Sequence, residues 1–406
     1  MEIFGKIYSK FDRVIFSRLA RSHARELQST HNLLNFYAKG VSTSLSYDFP
    51  KIKKKTLDYV SSNKVGDHIA EYKYCHSSLK PNIYASCYAC MIRSLYDDLN
   101  TLSQDEKQEW ASYFDSFQSP DDGLFYDPVL INQIYKTEDW WGARHLALQL
   151  ITSYSALGSR PKYDFYFLEP FYDPRYIVEW LESRDWGERI AFTGNEVMNY
   201  GCLLQYSRDY FQNREAGVGL QAMMDWLEDR INPDTGMWGD LPTDNPYHIS
   251  QIVQGAYHIY PLFFYDQHDL PSKHKAIDLL LRTQNPLGGF GITLNSSACE
   301  DLDSIDPLIR FSRDINYRKE YIDLALKRAF PAVLANMNDD GGFVFRRNEP
   351  FYYGHKEMYS GYNESSMFAT WFRTLCLAYL ESYLGFSENF NVQRMPGYEI
   401  RMEKQL

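Results

Sequence analysis

The chain contains no run of eighteen apolar residues, the length at which a helix begins to span a bilayer. Its first residues lack the short apolar core and small-residue cleavage site of a secretory signal. These absences predict a soluble, cytoplasmic protein. Cysteine is sparse. Cys75, Cys87, Cys90, Cys202, Cys299 and Cys376 are scattered through apolar, helix-like segments, the usual setting of reduced, buried thiols, so a disulfide framework is not expected. No phosphate-cradling glycine loop, nucleophile elbow or nicotinamide fingerprint is present, which argues against kinase and redox chemistry. No cofactor is expected. Positive charge is scarce outside one end: the net charge is −11, yet residues 1–60 carry eleven Lys/Arg against five Asp/Glu, leaving −17 for the rest. A body so acidic is not expected to bind nucleic acid.

The basic start, IFGKIYSKFDRVIFSRLARSHAREL, reads as an amphipathic helix with Ile3, Phe4, Ile7, Phe11, Ile15, Phe16 and Leu19 on its apolar stripe. Two readings compete: a helix packed on the acidic body, or peripheral contact with a membrane surface through residues 1–30. Aromatic residues are in excess, with 33 Tyr, 25 Phe and 8 Trp. Large aromatics line cavities for sugars, isoprenoids or cations, and they also fill helical cores.

A punctuation pattern recurs. FQSPDDGLFY from Phe117, INPDTGMWGD from Ile231, TQNPLGGFG from Thr283 and MNDDGGFVF from Met337 each follow an apolar helical segment. Aligning the last glycine before the aromatic gives Gly123, Gly236, Gly289 and Gly342, at intervals of 113, 53 and 53. A degenerate copy sits around Gly187. A period near 53 suits two helices with two connections. Segments such as ARHLALQLITSYSAL and MFATWFRTLCLAYLESYL carry apolar residues at i, i+3, i+4 and i+7, the helical period. In the turn, Pro stops the helix, Gly permits positive φ, and Gln can bond orphaned carbonyls or the neighbouring hairpin. The expected domains are a helical arm at 1–79 packed on or near the body, a body of about six helical hairpins at 80–390 and a C-terminal tail at 391–406.

The Gln-x-Pro-x-x-Gly-aromatic turns, with the Gly-x-Trp form in NPDTGMW, resemble the repeats of the prenyltransferase and squalene-cyclase superfamily over most of residues 80–390. That resemblance implies an all-α fold, an α/α toroid of six inner and six outer helices around a deep cavity. The same ring hosts cyclases, transferases and non-catalytic binders.

Several clusters can carry chemistry. In SSACEDLDSIDPLIRF, a helix starting near Ser297 places Glu300, Asp303 and Asp306 on neighbouring turns of one face, with Asp301 directed elsewhere. Carboxylates crowded this way cannot all ionise cheaply, so one can remain a general acid. The competing reading is a helix start enriched in acids for its dipole. Class II terpene cyclases protonate an alkene or epoxide with the middle Asp of Asp-x-Asp-Asp; Asp301-Leu302-Asp303-Ser304 is similar in its first three positions, and Ser304 replaces the last. Protein prenyltransferases hold zinc with Asp, Cys and His; Cys299, Asp301 and His355 are those residue types in a different order, and no metal is expected. Trp140, Trp141, Arg144 and His145 in KTEDWWGARHLALQL fit a cavity mouth, and Tyr257, His258 and Tyr260 in HISQIVQGAYHIYPLFFY fit a cavity wall. Glu196, Tyr359 and Glu364 occur in similar mixtures at helix starts. The leading expectation is a terpenoid-cyclase-like enzyme acting on an isoprenoid or other lipid. Asp303 is then the acid, Asp301 and Glu300 its tuners, His258 its hydrogen-bond partner, and the aromatic residues a cation-stabilising wall. The alternatives are a carbohydrate-active enzyme on the same ring, with a glycan as its small-molecule partner, and a non-catalytic binding or scaffold protein.

Overall fold

The computed structural model describes residues 48–386, 390 and 394–398, within a compact unit that runs from Tyr47 to Leu406. The basic amphipathic stretch at residues 1–30 lies outside the described residues. Among the described residues no helix is long and apolar enough to cross a membrane.

The chain alternates amphipathic helices with helices that are buried almost all round. The amphipathic set is α1 (Phe49–Ser62), α3 (Gln104–Asp115), α6 (Pro174–Glu182), α8 (Arg214–Asp229), α10 (Lys273–Arg282) and α12 (Lys319–Leu334). The buried set is α2 (Ile83–Leu95), α5 (Ala143–Ala156), α7 (Ile190–Tyr210), α9 (Pro246–Asp266), α11 (Ala298–Asp314) and α13 (Met367–Leu384), with a short α4 (Gln133–Thr137) before α5. In α13, 15 of 18 residues are buried, whereas in α8 only 6 of 16 are. Helices apolar on one stripe face water, and helices apolar on all sides need neighbours on all sides. The buried helices supply those neighbours for one another: α2 packs on α5, α5 on α7, α7 on α9, α9 on α11, α11 on α13, and α13 returns to α2. The only sheet among the described residues is a two-residue hairpin, β1 (Phe351–Tyr352) with β2 (Tyr359–Ser360).

The repeated turn connects an amphipathic helix to the buried helix that follows it. Isolated antiparallel bridges pair Gln118 with Phe125, Asn232 with Met237, Gln284 with Phe290 and Met337 with Phe343. The left-handed residues are Gly123, Gly236, Gly288 and Gly341, so in the two Gly-Gly turns the first glycine, and not the last, makes the reversal. Gly289 and Gly342 occupy the place of Leu124 and Met237. Gly187 stands between α6 and α7, where a fifth turn is expected, but without positive φ. The glutamines act twice. The Gln118 amide donates to the Gly123 carbonyl at 2.9 Å and the Tyr163 carbonyl at 2.8 Å, and Gln284 donates to Gly288 at 2.9 Å and to Ala325 of α12 at 2.8 Å.

The turn glycines also face the next amphipathic element. A Cβ on Gly236 would meet the Ser272 carbonyl at 2.5 Å, and one on Gly288 the Arg328 carbonyl of α12 at 2.5 Å. Gly123 abuts the Asp164 carbonyl in the segment that leads through a 3-10 turn (Tyr166–Tyr172) to α6, and Gly341 abuts the Lys55 carbonyl of α1. The last turn thus lodges against the first described helix. Within the expected arm, α1 is the partner of α12's turn, and the Met367 amide at the start of α13 donates to the Tyr74 carbonyl at 2.8 Å. In the expected tail, Met395 and Tyr398 are buried.

Substituting Gly288 or Gly341 with Ala combines positive-φ strain of about 1–2 kcal/mol with collision against main chain. Urea unfolding should show each variant destabilised by about 2–4 kcal/mol. Gly66→Ala, with φ +62° but nothing within 4 Å of its Cβ, should cost only the strain. Equal losses at Gly66 and Gly288 would show that the lodging contact contributes nothing.

Candidate functional site

The start of α11 divides its acids among different tasks. Ser297 caps the helix: its Oγ accepts the Glu300 amide at 3.1 Å, and Glu300 Oε2 accepts the Ser297 amide at 2.9 Å. Glu300 also pairs with Arg346 at 2.8 Å, so it is a capping residue with a cation of its own. Asp301, fully buried, accepts from the Phe290 amide at 2.7 Å and the Ser296 hydroxyl at 3.1 Å, and forms an ion pair with Arg373 of α13. Arg373 in turn donates to the Ser296 and Phe345 carbonyls at 2.8 and 3.0 Å. This pair joins the Gly-Gly turn, α11 and α13, and it is structural. Asp306 pairs with Arg310 at 2.6 Å.

Asp303 is different. It is 0% exposed, and neither carboxyl oxygen has a hydrogen-bond partner among the described residues. Burial, and then the charges of Glu300, Asp301 and Asp306, push its carboxyl well above the ordinary range, because an ion without donors or counter-charge is poorly solvated there. Its electrostatic neighbours across the interior are Cys299, Cys376 of α13, Tyr257 of α9 and Tyr398.

Two histidines complete the interior. His145 of α5 lies 2.9 Å from Tyr84 Oη through Nδ1 and 3.1 Å from Tyr353 Oη through Nε2. Tyr84 donates its proton to the Gly142 carbonyl at 3.0 Å, so His145 Nδ1 is the donor in that pair and Nε2 accepts from Tyr353. Burial, and then His258, lower the His145 pKa to about 3. His258 of α9 bonds the Gln254 carbonyl at 2.6 Å through Nδ1, which makes Nδ1 its protonated nitrogen and leaves the Nε2 lone pair bare. Burial lowers its pKa to about 4. Both imidazoles are therefore neutral near pH 7. Although protein surrounds them deeply, His258, Cys299 and Tyr353 are only half-buried by exposure, so they border interior space.

The remaining expected residues fall in three places. Trp140, half-buried against Phe192 at 5.2 Å, and Glu196, paired with Arg184 at 3.4 Å, lie near the start of α7, where Arg184 also approaches Asp139 at 3.7 Å. Arg144 reaches Asp139 at 3.6 Å and the Lys136 carbonyl. Trp141 and Tyr260 are core residues: Trp141 stacks on Tyr84 at 5.9 Å, and Tyr260 donates to the Gly236 carbonyl at 3.1 Å. Tyr257 is buried beside His258. Tyr359 is 42% exposed on β2, and Glu364 ties loops together by accepting from the Ser77 amide and hydroxyl and the Gly361 amide. His355 caps a short turn and does not join Cys299 and Asp301; among the described residues no group of three His, Cys, Asp or Glu could hold a metal.

Tyr84, Gln149, Tyr353 and Tyr398 were not picked out from the sequence. The signal at Gln149 was one amide inside the apolar run LALQLIT; for the tyrosines there was none, because 33 occur. Gln149 donates to Tyr398 Oη at 2.9 Å and lies 3.2 Å from His145 Nε2. No family model matches the chain, and no curated protein matches it significantly.

The two acids make opposite expectations. Asp301→Asn leaves Arg373 without its buried counter-charge and should cost about 3–5 kcal/mol in chemical unfolding. Asp303→Asn removes an acid that the native state keeps protonated while the unfolded chain releases its proton near pH 3.9. Native protein then binds the extra proton above that pH, so wild-type stability relative to Asp303→Asn should fall by about 1.4 kcal/mol per pH unit as pH rises toward the native pKa. A wild type more stable than Asp303→Asn at pH 7 contradicts this assignment.

Proposed function

We propose that the cycle of buried helices, enclosed by the amphipathic ones, is an α/α toroid, and that its interior is the reaction chamber of an acid-catalysed enzyme acting on an isoprenoid or similar alkene-bearing lipid. The observation that carries this reading is Asp303: a carboxyl group, completely buried, with no partner for either oxygen. A carboxyl held protonated at neutral pH still carries the proton that a general acid must deliver to a bound substrate. Tyr257 and Tyr398, electrostatic neighbours of Asp303, supply aromatic rings that stabilise a carbocation.

In this scheme the Asp303 hydroxyl protonates one alkene carbon, and the neighbouring carbon becomes cationic. A second alkene attacks it, forming a carbon–carbon bond and moving the cation along the chain. His258 Nε2, the bare lone pair, then removes a proton from a carbon next to the final cation, restoring an alkene. The net change is an isomerisation, and the proton returns from His258 to Asp303 before the next cycle. Neither Asp301 nor Glu300 takes part directly; Asp301 holds α11 to α13, and Glu300 adds negative potential that keeps Asp303 neutral. Cys299 is not a nucleophile here, since burial, and then Asp303 and Glu300, push its thiol well up. The polar stripe Gln254–His258 and the half-buried Asn195 favour a second reading, a glycan in the chamber.

The test is incubation with polyunsaturated isoprenoid alcohols and hydrocarbons in deuterium oxide. Carbon-bound deuterium should appear in a product of unchanged skeleton mass apart from the label. Asp303→Asn should lower turnover by about 10²–10⁴, and the rate should decline as pH rises through the Asp303 pKa. Label incorporation within about tenfold of wild type in Asp303→Asn rules out Asp303 as the donor, and turnover of oligosaccharides instead of isoprenoids selects the second reading.

A further inference from the structure

Residues 394–398 are built into the interior. Arg394 is exposed, with its guanidinium 5.2 Å from the Tyr265 ring at the last turn of α9, and the next four residues are buried. The chain therefore goes inward from the end at which the buried helices finish, opposite to the end that holds Tyr353 and its hairpin. Gly397, at φ +90°, presses on two further helices: a Cβ there would meet Leu148 Cδ1 of α5 at 2.8 Å and Cys202 Sγ of α7 at 3.9 Å. Tyr398 follows, edge-on to Trp371 of α13 at 5.9 Å and hydrogen-bonded by Gln149. Five residues thus touch α5, α7, α9 and α13, and the Tyr398 hydroxyl has Cys299 and Asp303 of α11 as electrostatic neighbours.

We propose that this C-terminal segment is the floor of the chamber and that Tyr398 sets its depth, limiting the length of the apolar ligand that the chamber accepts; the ligand class rests on the function proposed above, the floor does not. A ring of parallel helices is open at both ends unless something fills one. Here Tyr398 does so, level with Gln149 of α5 and with Trp371 and Phe372 near the start of α13. Its hydroxyl is an electrostatic neighbour of Asp303, so a ligand that Asp303 protonates has Tyr398 as its lower boundary.

Full-length variants separate the two parts. Gly397→Val places a β-branched residue at positive φ and against Leu148, so it should drive the segment out, and alkylation of Cys202 by N-ethylmaleimide, read by peptide mass mapping, should accelerate more than about tenfold. Cys87 and Cys90, packed on Ser153 between α2 and α5, should stay unlabelled. Tyr398→Ala keeps the backbone in place and removes the ring, and Tyr398→Phe keeps the ring. By quenching of tryptophan fluorescence, the affinity for geranylgeraniol relative to geraniol should rise about tenfold in Tyr398→Ala, as buried methylenes gain room, and stay within about twofold of wild type in Tyr398→Phe. Cys202 equally protected in Gly397→Val and wild type overturns the floor. An unchanged affinity ratio in Tyr398→Ala overturns the depth limit. If no form binds any alcohol while Cys202 is unmasked as expected, the floor stands, and the isoprenoid reading falls together with the length limit.

Discussion

The structure depends on one repeated close approach, the lodging of a left-handed turn glycine against the backbone of the next amphipathic element. Each approach sets the distance between consecutive helical units, because a methyl group at Gly288 would already collide with Arg328. Repetition of a fixed step curves a row of helices, and the approach of Gly341 to Lys55 joins the last unit to the first. That junction gives α2 and α13 to each other as neighbours. Without it, two all-apolar helices would each expose a face, and residues 83–95 would be a site of aggregation instead of a wall.

In the proposed ring, helices packed on both flanks turn their remaining face inward, and on α11 Cys299, Asp303 and Asp306 follow one another in helical succession. Glu300, Asp301, Asp303 and Asp306 are all buried, so each requires a cation, a set of donors or a proton. Asp301 has Arg373, Glu300 has Arg346, and Asp306 has Arg310. Asp303 has none of these, and the remaining solution is the proton. The same desolvation that makes one carboxyl an acid makes His258 a neutral base, so one environment prepares both halves of a proton-transfer cycle.

Much of the fold was legible because the turn has chemical requirements that few residues meet: a stop, a positive φ and an amide that reaches sideways. Gln284 showed this most fully, with one donor to its own turn and one to the next helix. The glycine that makes the reversal was misaligned by one in the Gly-Gly copies, since sequence cannot tell which of two adjacent glycines takes φ +100° and which only needs to be small. In α1 the lysine-rich KIKKK hides an apolar stripe that matters only once Gly341 is beside it. Within the site, the crowding at 300–306 was visible, and its division of labour was not. Which acid receives an arginine is decided by Arg346 and Arg373, dozens of residues away, and no local pattern contains that information. Tyr353 and Tyr398 were hidden among many tyrosines for the same reason.

The central claim is that Asp303 is a neutral carboxylic acid in the resting protein at physiological pH. Infrared difference spectroscopy between wild type and Asp303→Asn measures this directly. The account predicts a protonated-carboxyl carbonyl band at pH 7 in wild type, absent from the variant, at a high frequency typical of an acid without hydrogen-bond partners. A difference spectrum showing only the loss of carboxylate stretches at pH 7 would mean that Asp303 is ionised, and the account would be contradicted.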